Sequence, residues 1–417
     1  MASPHELEVW IDSALISTNA IPVGHLIKDR SSVRFVYAKS WLDRKERFAI
    51  DPDLSLDRSV FHPDPSKGNF GIFLDSSPDR WGQTLMKRRE AMEAQDHDRQ
   101  LRTLHAWDFL IGVQDQTRQG ALRFKYPGTD AFLDCHALAA PPVAKLAELE
   151  AIAKELSSKK IEDLNQLRQW LAVLVAPGAS LGGARPKANF TQADGSLWIA
   201  KFPARDDVMD IAAWEMLAHQ LAVGAGIEVP EAKLLRLSEE HRTFVTQRFD
   251  RMGGQRVHYA SAMTMLKQSD SDQASYLDIA HAILVNGSNG LIKRDLAQLF
   301  RRAVFNALIS NRDDHLRNHG FILTQSGWRL SPAFDLNPTI DKTDHVLSLD
   351  FNENRLGPEC IMATAEYYDL SLDQAVGIQA EVLQSVRQWE AIAKTLRIPR
   401  AEIELMRPAF TSQAKLP

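Results

Sequence analysis

Three polar side chains in the second half of the chain occur at a spacing that strongly limits what it can fold into. Asp313 is followed five positions later by Asn318, and Asp335 comes seventeen residues after that, beside Phe334. Phosphoryl transfer needs one carboxylate to orient the attacking hydroxyl, and an amide oxygen with a second carboxylate to hold Mg²⁺. The spacing is therefore typical of a kinase catalytic loop and its metal site. The neighbouring Asp314 lacks the five-residue offset to Asn318.

A glycine-rich loop lies upstream, over residues 178–187, and strand-like sequence follows it. Backbone N–H groups of such a loop can approach phosphate oxygens, because the small side chains leave room. The candidate phosphate-binding residues are Gly182, Gly183, Ala184, Arg185, Pro186 and Lys187. Taken alone, a tight turn between a helix and a strand is the more frequent explanation of such glycines.

Two charged residues after this loop match a pairing found in kinases. Lys201 ends the apolar stretch 197–203, where a lysine is unusual because buried lysines are rare unless paired. Glu215 lies on a helix predicted over 207–223, so an ion pair with Lys201 would match the strand lysine and helix glutamate of kinases. The alternatives are an edge strand that turns Lys201 to solvent and a solvated helix position for Glu215.

The stretch 245–251 closes a strand where a kinase hinge would lie, and its backbone could receive adenine. The candidate hinge residues are Gln247, Arg248 and Phe249. Surface ion pairs of little energetic value are the alternative explanation of its charged residues. Glycine loop, strand lysine, helix glutamate, Asp313 with Asn318, and Asp335 follow one another in kinase order. This order favours a kinase over coincidence.

Composition excludes several other classes of protein. The net charge of −5 over 417 residues argues neither for nor against nucleic acid, and the apolar runs are far too short to span a membrane. The two cysteines, Cys135 and Cys360, exclude a disulfide framework and fit a reducing cytosol. The sequence therefore predicts a cytoplasmic protein without membrane contact. His315 and His319 could also suggest a metal pair, but the nucleotide site explains His315 without one.

The hydrophobic pattern predicts a mixture of strands and helices. Predicted strands cover 7–11, 32–38, 121–126, 320–324 and 346–351. Predicted helices cover 78–93 with Ser77 as its cap, 106–113, 143–157, 161–174, 372–396 and 400–406. A Pro/Ala-rich stretch near 139–143 is the best candidate domain boundary, and it divides the chain into segments 1–140, 141–255 and 256–417.

Together these motifs resemble the HipA family of serine/threonine kinases, the toxins of bacterial type II toxin–antitoxin pairs. The resemblance spans nearly the whole chain and includes the stretches 75–82 and 120–124. It implies an α+β, two-lobed kinase-like fold with an N-terminal β-rich subdomain and an all-helical C-terminal lobe. The three segments would then be the N-terminal subdomain, the kinase N-lobe with the glycine loop, and the C-lobe with the catalytic loop.

The resemblance also assigns roles to residues that bind ATP and Mg²⁺. It makes Asp313 the catalytic base, Lys201 the contact to the α- and β-phosphates, and Asn318 and Asp335 the Mg²⁺ ligands. Residues implied to bind ATP are Gly182 to Lys187, Lys201, Gln247, Arg248, Phe249, His315, Leu316, Arg317, Asn318, Phe334 and Asp335. Ser180 falls on the serine that these kinases autophosphorylate, and phosphate there should repel nucleotide and inactivate the enzyme.

The family further implies a partner, a substrate and an effect. The partner would be a small HipB-like helix-turn-helix antitoxin, through which alone the chain would meet DNA. The substrate would be a protein such as an aminoacyl-tRNA synthetase, whose phosphorylation inhibits translation. Arg185 and Pro186 depart from the best-known members, which carry an acidic residue and no proline there. The alternatives are a small-molecule phosphotransferase and a non-catalytic corepressor scaffold.

Overall fold

The computed structural model describes residues 5–29, 32–133, 140–157, 169–171, 173–174, 185–350 and 358–411. The chain divides into two compact units. The first unit is Met1–Asp206 with Gln247–Ala260, and the second is Asp207–Thr246 with Ser261–Pro417. Most of the helix predicted over 161–174 lies outside the described residues, as does the start of the boundary stretch near 139–143. The three-segment division stays a prediction.

The described chain alternates between strands and helices. In chain order the strands are β1 (Glu6–Ile11), β2 (Ile21–Asp29), β3 (Ser32–Tyr37), β4 (Leu122–Lys125), β5 (Lys187–Thr191), β6 (Leu197–Lys201), β7 (Ala232–Leu235), β8 (Thr243–Gln247), β9 (Arg251–Met252), β10 (Gln255–Arg256), β11 (Tyr259–Ser261), β12 (Gly320–Thr324) and β13 (Gly327–Leu330). The helices are α1 (Lys39–Leu42), α2 (Gly71–Asp75), α3 (Arg80–Asp96), α4 (Ala106–Ile111), α5 (Leu146–Ser157), α6 (Ile211–Gly224), α7 (Ala262–Met265), α8 (Tyr276–Asn286), α9 (Ile292–Leu308), α10 (Pro358–Ala363), α11 (Leu372–Val386), α12 (Trp389–Thr395) and α13 (Arg400–Thr411).

The first unit begins with an antiparallel sheet in the order β3-β2-β1-β4. Its register pairs Val9 with Gly24 on one side and with Phe124 on the other. Alternate residues of β1 are buried, as the period-2 pattern of a half-buried strand requires. The strands predicted at 7–11, 32–38 and 121–126 are confirmed.

Helix α3 begins two residues later than its predicted start. Asp79 caps the helix, because its Oδ1 accepts the Gly82 N–H at 2.8 Å. The predicted cap, Ser77, instead donates its hydroxyl to the Phe73 carbonyl at 2.7 Å. The prediction of Ser77 is wrong because the capping residue must directly precede the first helical turn. Trp81, Leu85 and Met86 are buried, which confirms the predicted apolar face.

The second unit is mostly helical but also contains two antiparallel hairpins, so the expectation of an all-helical C-terminal lobe is wrong. One hairpin pairs β7 with β8, and the other pairs β12 with β13. The predicted strand 320–324 is confirmed as β12, and β13, which pairs with it, was not predicted. No strand forms over the described residues 346–350, where a single bridge joins Ser348 to Ser275. The predicted helix 372–396 is divided into α11 and α12.

A helix that crosses a bilayer needs about 20 predominantly apolar residues. None of the helices in the described part of the chain is both long and apolar enough to meet this requirement.

His258, in the first unit, should make stability depend on pH. Its ring packs 5.4 Å from that of Phe48, and burial lowers its pKa from 6.5 to about 3. Between these values the unfolded chain takes up a proton that the folded chain excludes. We therefore expect the free energy of unfolding to fall by up to about 1.4 kcal/mol per pH unit on acidification through this range.

Urea denaturation between pH 7 and pH 4 measures this dependence. His258→Gln should flatten the slope of the unfolding free energy against pH, whatever its effect on stability at pH 7. His62, which is not buried, provides the matched control, His62→Gln, which should keep the wild-type slope. An unchanged slope in His258→Gln would show that His258 is not responsible.

Candidate active site

The predicted catalytic residues lie in the second unit, between α9 and β12. A 3₁₀ turn over Leu316–Asn318 forms the end of this loop. The Leu316 N–H donates to Ser271 Oγ at 3.0 Å, and the Leu316 side chain is fully buried. Asp313 remains at the surface, with 62% of its side chain exposed. A carboxylate that must meet a substrate hydroxyl needs this accessibility.

The adjacent Asp314 has the opposite environment and is buried beneath the loop. Its Oδ2 accepts Asn306 Nδ2 at 3.0 Å, pairs with His319 Nε2 at 2.8 Å, and accepts the Tyr276 hydroxyl. Burial alone would raise the pKa of Asp314, but the charge and hydrogen bond of His319 and the Tyr276 bond hold it below its usual value. Asp314 is thus engaged by buried side chains and does not face a substrate. This supports Asp313 as the base.

The contact between His319 and Asp314 argues against the alternative of a His315–His319 metal pair. His319 Nε2 is bound to Asp314, so one of the two rings is already engaged. In the part of the chain that the structure describes, no group of three or more His, Cys, Asp or Glu side chains could hold a metal ion. The alternative gains no support from these contacts.

The β12–β13 hairpin relates the two predicted Mg²⁺ ligands. Asn318 lies two residues before Gly320, the first residue of β12, and Asp335 lies four residues after Ser331. At the open end of this hairpin the Ser331 N–H donates to the Gly320 carbonyl at 2.8 Å. The segments that carry Asn318 and Asp335 therefore flank the same end of one hairpin. Asn318 Nδ2 also donates to the Asp313 carbonyl at 3.2 Å, which ties it to the proposed base.

Asp335 has a backbone conformation that favours glycine, with φ at +59°. Its Oδ1 accepts Asn337 Nδ2 at 3.0 Å. A non-glycine residue in this region costs about 1–3 kcal/mol and is found preferentially at functional sites. Asp98, Gln273 and Asp369 share this conformation outside the site, so the metal-binding role of Asp335 stays a prediction.

The chemistry of these two residues suits a magnesium ion. An Asn amide and an Asp carboxylate offer oxygen ligands, which Mg²⁺ prefers over nitrogen or sulfur. Mg²⁺ is usually held by one or two protein oxygens together with substrate phosphates. Asn318 and Asp335 fit this requirement.

The first unit holds the predicted phosphate-binding lysines on one hairpin. Lys201, at the end of β6, pairs in register with Lys187 at the start of β5. Lys187 is buried with its ammonium 2.9 Å from Asp79 Oδ2, whereas Lys201 is half-buried. Burial raises the pKa of Asp79 even though the Lys187 charge opposes this shift. The ammonium of Lys187 is thus held by Asp79.

The predicted glycine loop is described only at its end. Ser180, Gly182, Gly183 and Ala184 lie outside the described residues. The Pro186 carbonyl accepts the Phe202 N–H at 2.9 Å, which extends the β5–β6 pairing by one step. The end of the loop is therefore fixed to the strand that carries Lys201.

The predicted hinge contains a buried ionic network. Arg248 donates to both oxygens of Asp250 at 2.8 and 2.6 Å, and to the Thr117 carbonyl and Asn189 Oδ1. Asp250 also accepts the Gly120 N–H at 2.8 Å. Burial opposes ionisation of Asp250, but the arginine charges hold its pKa far below the usual value. The alternative of surface pairs is wrong, because Arg248 and Asp250 are both buried.

The remaining hinge residues and Glu215 complete the predicted set. The Phe249 ring lies 5.9 Å from that of Tyr259. Glu215 on α6 is only 4% exposed, so the alternative of a solvated helix position is wrong. Lys201 and Glu215 belong to different compact units, and their ion pair stays a prediction.

Sequence reasoning missed the side chains that support these motifs. Asp79 lies in the stretch 75–82, where an acidic residue just before a helical pattern is the available signal of a cap. Lys342 contacts Asp313 Oδ1 from a loop without any recognisable motif. Tyr276 and Asn306 lie on the helices α8 and α9, where their periodicity is that of ordinary core residues.

Comparisons with known proteins agree with these observations. The HipA-like C-terminal domain family matches residues 179–404, and the HipA N-terminal domain family matches residues 14–107. In the solved complex of HipA, HipB and operator DNA from Shewanella oneidensis, a chain with 17% sequence identity superposes with a TM-score of 0.69. The match covers 98% of this chain and 96% of that one. This likeness confirms the predicted α+β, kinase-like fold class.

Two curated relatives carry the words "putative kinase" in their names. Y4dM of Sinorhizobium fredii is 27% identical over 224 residues, which is 48% of this chain and 54% of the relative. A protein of Haemophilus influenzae is 28% identical over 181 residues, which is 38% of this chain and 52% of the relative. The chain spans about half the length of the curated relatives that it matches.

Proposed function

The chain belongs to the HipA family, and from this membership we propose that it is an ATP- and Mg²⁺-dependent serine/threonine protein kinase. The observation that carries the proposal is the contrast between two adjacent carboxylates. Asp313 is exposed, while Asp314 is buried among Tyr276, Asn306 and His319. A loop that buries one carboxylate so as to present its neighbour suits a catalytic base.

The proposed reaction is a direct transfer of the γ-phosphoryl group of ATP. The hydroxyl oxygen of a serine or threonine forms a bond to the γ-phosphorus, and the bond to the bridging oxygen of ADP breaks. Asp313 accepts the hydroxyl proton, and ADP leaves with the electron pair. Lys201 contributes its charge to the α- and β-phosphates. Bound Mg²⁺ supplies further charge neutralisation, and Asn318 with Asp335 would hold it.

Ser180 is the proposed site of autophosphorylation. A phosphoserine carries nearly two negative charges at neutral pH. Placed at the start of the loop over 182–187, these charges would repel the phosphates of ATP. Modification of Ser180 should therefore inactivate the kinase.

The biological role follows from the family and is part of the same proposal. The related chain from Shewanella oneidensis was solved with HipB and operator DNA. By analogy, a small helix-turn-helix antitoxin is the proposed partner here, and DNA is met only through it. The proposed substrate is a protein such as an aminoacyl-tRNA synthetase, so the chain would act as a toxin that inhibits translation.

Labelled ATP tests the proposal directly. The purified protein and Ser180→Ala are incubated with Mg²⁺ and ATP labelled at the γ-phosphate, and phosphosites are mapped by mass spectrometry. We expect label on Ser180 in the wild type, and none at this position in the variant. A parallel sample with a chelator should remain unlabelled if Mg²⁺ is required.

Two other outcomes contradict parts of the proposal. ATP binding without label on any protein would favour a small-molecule acceptor over a protein kinase. Neither label nor an ATP-induced rise in melting temperature would overturn catalysis and favour a corepressor scaffold.

A further inference from the structure

A lysine outside every motif contacts the proposed catalytic base. The Lys342 ammonium binds Asp313 Oδ1, and the two side chains are 46% and 62% exposed. We propose that Lys342 is a catalytic cation that stabilises the phosphoryl group during its transfer. This inference rests on the proposed kinase function, because it assigns a further residue to the same reaction.

Lys342 is held in place by the backbone around it. We call residues 339–348 the catalytic strap. The Thr339 N–H donates to the Ser310 carbonyl at 3.1 Å, and the Val346 N–H donates to the Arg312 carbonyl at 3.2 Å. The Arg312 guanidinium also donates to the Lys342 carbonyl. The strap is thus attached on both sides of Lys342 to the segment that carries Asp313.

The far end of the strap is anchored as well. The Ser348 N–H donates to the Ala274 carbonyl at 2.9 Å, and the Tyr276 N–H donates to the Ser348 carbonyl at 3.1 Å. Tyr276 is the residue whose hydroxyl binds the buried Asp314. These contacts hold the backbone of the strap against the catalytic loop, so the Lys342 side chain starts from a fixed point within reach of Asp313.

Reaction geometry gives this position its chemical meaning. A hydroxyl that donates its proton to Asp313 must lie within about 3–3.5 Å of the γ-phosphorus when it attacks. A cation that touches the same carboxylate is then within reach of the phosphoryl oxygens, where negative charge is spread in the transition state. Exclusion of water by the bound substrates would strengthen this attraction.

The contact does not suit the alternative of an inhibitory latch. A latch would cover the base, but Asp313 keeps most of its side chain exposed beside Lys342. Lys342 binds Oδ1 of the carboxylate and not Oδ2. In the proposed reaction the other oxygen, Oδ2, accepts the substrate proton.

Substitution of Lys342 tests the inference. Lys342→Met should lower kcat by about 100-fold, the typical effect of removing one charge-stabilising donor. The dissociation constant for ATP and the melting temperature should stay close to the wild-type values. Lys342→Arg, which keeps the charge, should recover most of the lost rate. Lys293→Met is the matched control, because Lys293 is 85% exposed and pairs with Asp369 instead.

Each result has a distinct meaning. A wild-type kcat in Lys342→Met would overturn the inference while leaving the kinase function intact. A higher kcat in Lys342→Met would identify the contact as a latch and also overturn it. Absence of phosphoryl transfer in the wild-type protein would instead overturn the proposed function, so the two failures are distinguishable.

Discussion

Replacement of Asp313 by Asn is expected to lower kcat by about 10²–10⁴-fold, the range that a positioned general base contributes. The amide keeps the size of the side chain but cannot accept the hydroxyl proton. Because the Asp313 side chain is 62% exposed, the melting temperature should change little. Steady-state phosphorylation of a peptide or of Ser180, together with a thermal melt, measures both quantities.

The neighbouring Asp314→Asn provides the matched control, since both changes replace an aspartate within the same loop. Asp314 is buried and its Oδ2 is the hydrogen-bond partner of Tyr276, Asn306 and His319, so Asp314→Asn should destabilise the second unit by about 1–3 kcal/mol for each buried polar group left unsatisfied. Activity should then fall together with the melting temperature. If Asp314→Asn lost activity without loss of stability while Asp313→Asn stayed active, the base would have to be reassigned to Asp314.

The second large effect is expected at Asp250 in the first unit. Asp250→Asn removes a buried charge that Arg248 and Arg251 approach to within 2.6 and 2.8 Å. Removing one partner of a buried ion pair lowers the free energy of unfolding by about 3–5 kcal/mol, because the other charge is left buried without compensation. We therefore expect a cooperative loss of stability in chemical denaturation, together with weaker ATP binding if the proposed hinge is displaced.

An exposed ion pair of the same unit calibrates this result. Lys145 and Glu148 lie 2.9 Å apart, with their side chains 60% and 51% exposed. Glu148→Gln should change the free energy of unfolding by less than about 1 kcal/mol, as is usual for surface pairs. Equal effects of the two substitutions would show that the Asp250 network does not stabilise the fold.

Local patterns in the sequence were sufficient for much of the fold. The strand around Val9 alternates buried and half-buried residues, and the helix that carries Glu215 repeats apolar residues at helical spacing. The five-residue spacing to Asn318 selects Asp313, the exposed aspartate of the loop, over its buried neighbour. The strand and helix patterns succeed because they are carried by neighbouring residues along the chain, and the role of Asp313 stays a prediction.

The contacts that local patterns could not predict join residues that are distant in sequence. Asp79 and Lys187 are 108 residues apart, and Gly120 and Asp250 are 130 residues apart. The sequence around Arg248 does not distinguish a buried ion pair from an exposed one. The burial of Arg248 depends on distant groups that pack against it, such as the Thr117 carbonyl. Lys342 was missed for the same reason, since only the folded chain brings it to Asp313.

The discontinuity of the first unit has a consequence for synthesis of the chain. Residues 247–260, which carry Arg248 and Asp250, are translated only after residues 207–246, which belong to the other unit. Until then the Gly120 N–H lacks its acceptor Asp250, and the Thr117 carbonyl lacks its donor Arg248. At about 5–20 residues per second, the nascent first unit stays incomplete for roughly 3–10 s after residue 206 has been added. During this interval it is exposed to chaperones and proteases, and a chain that stops at residue 206 would remain in that state.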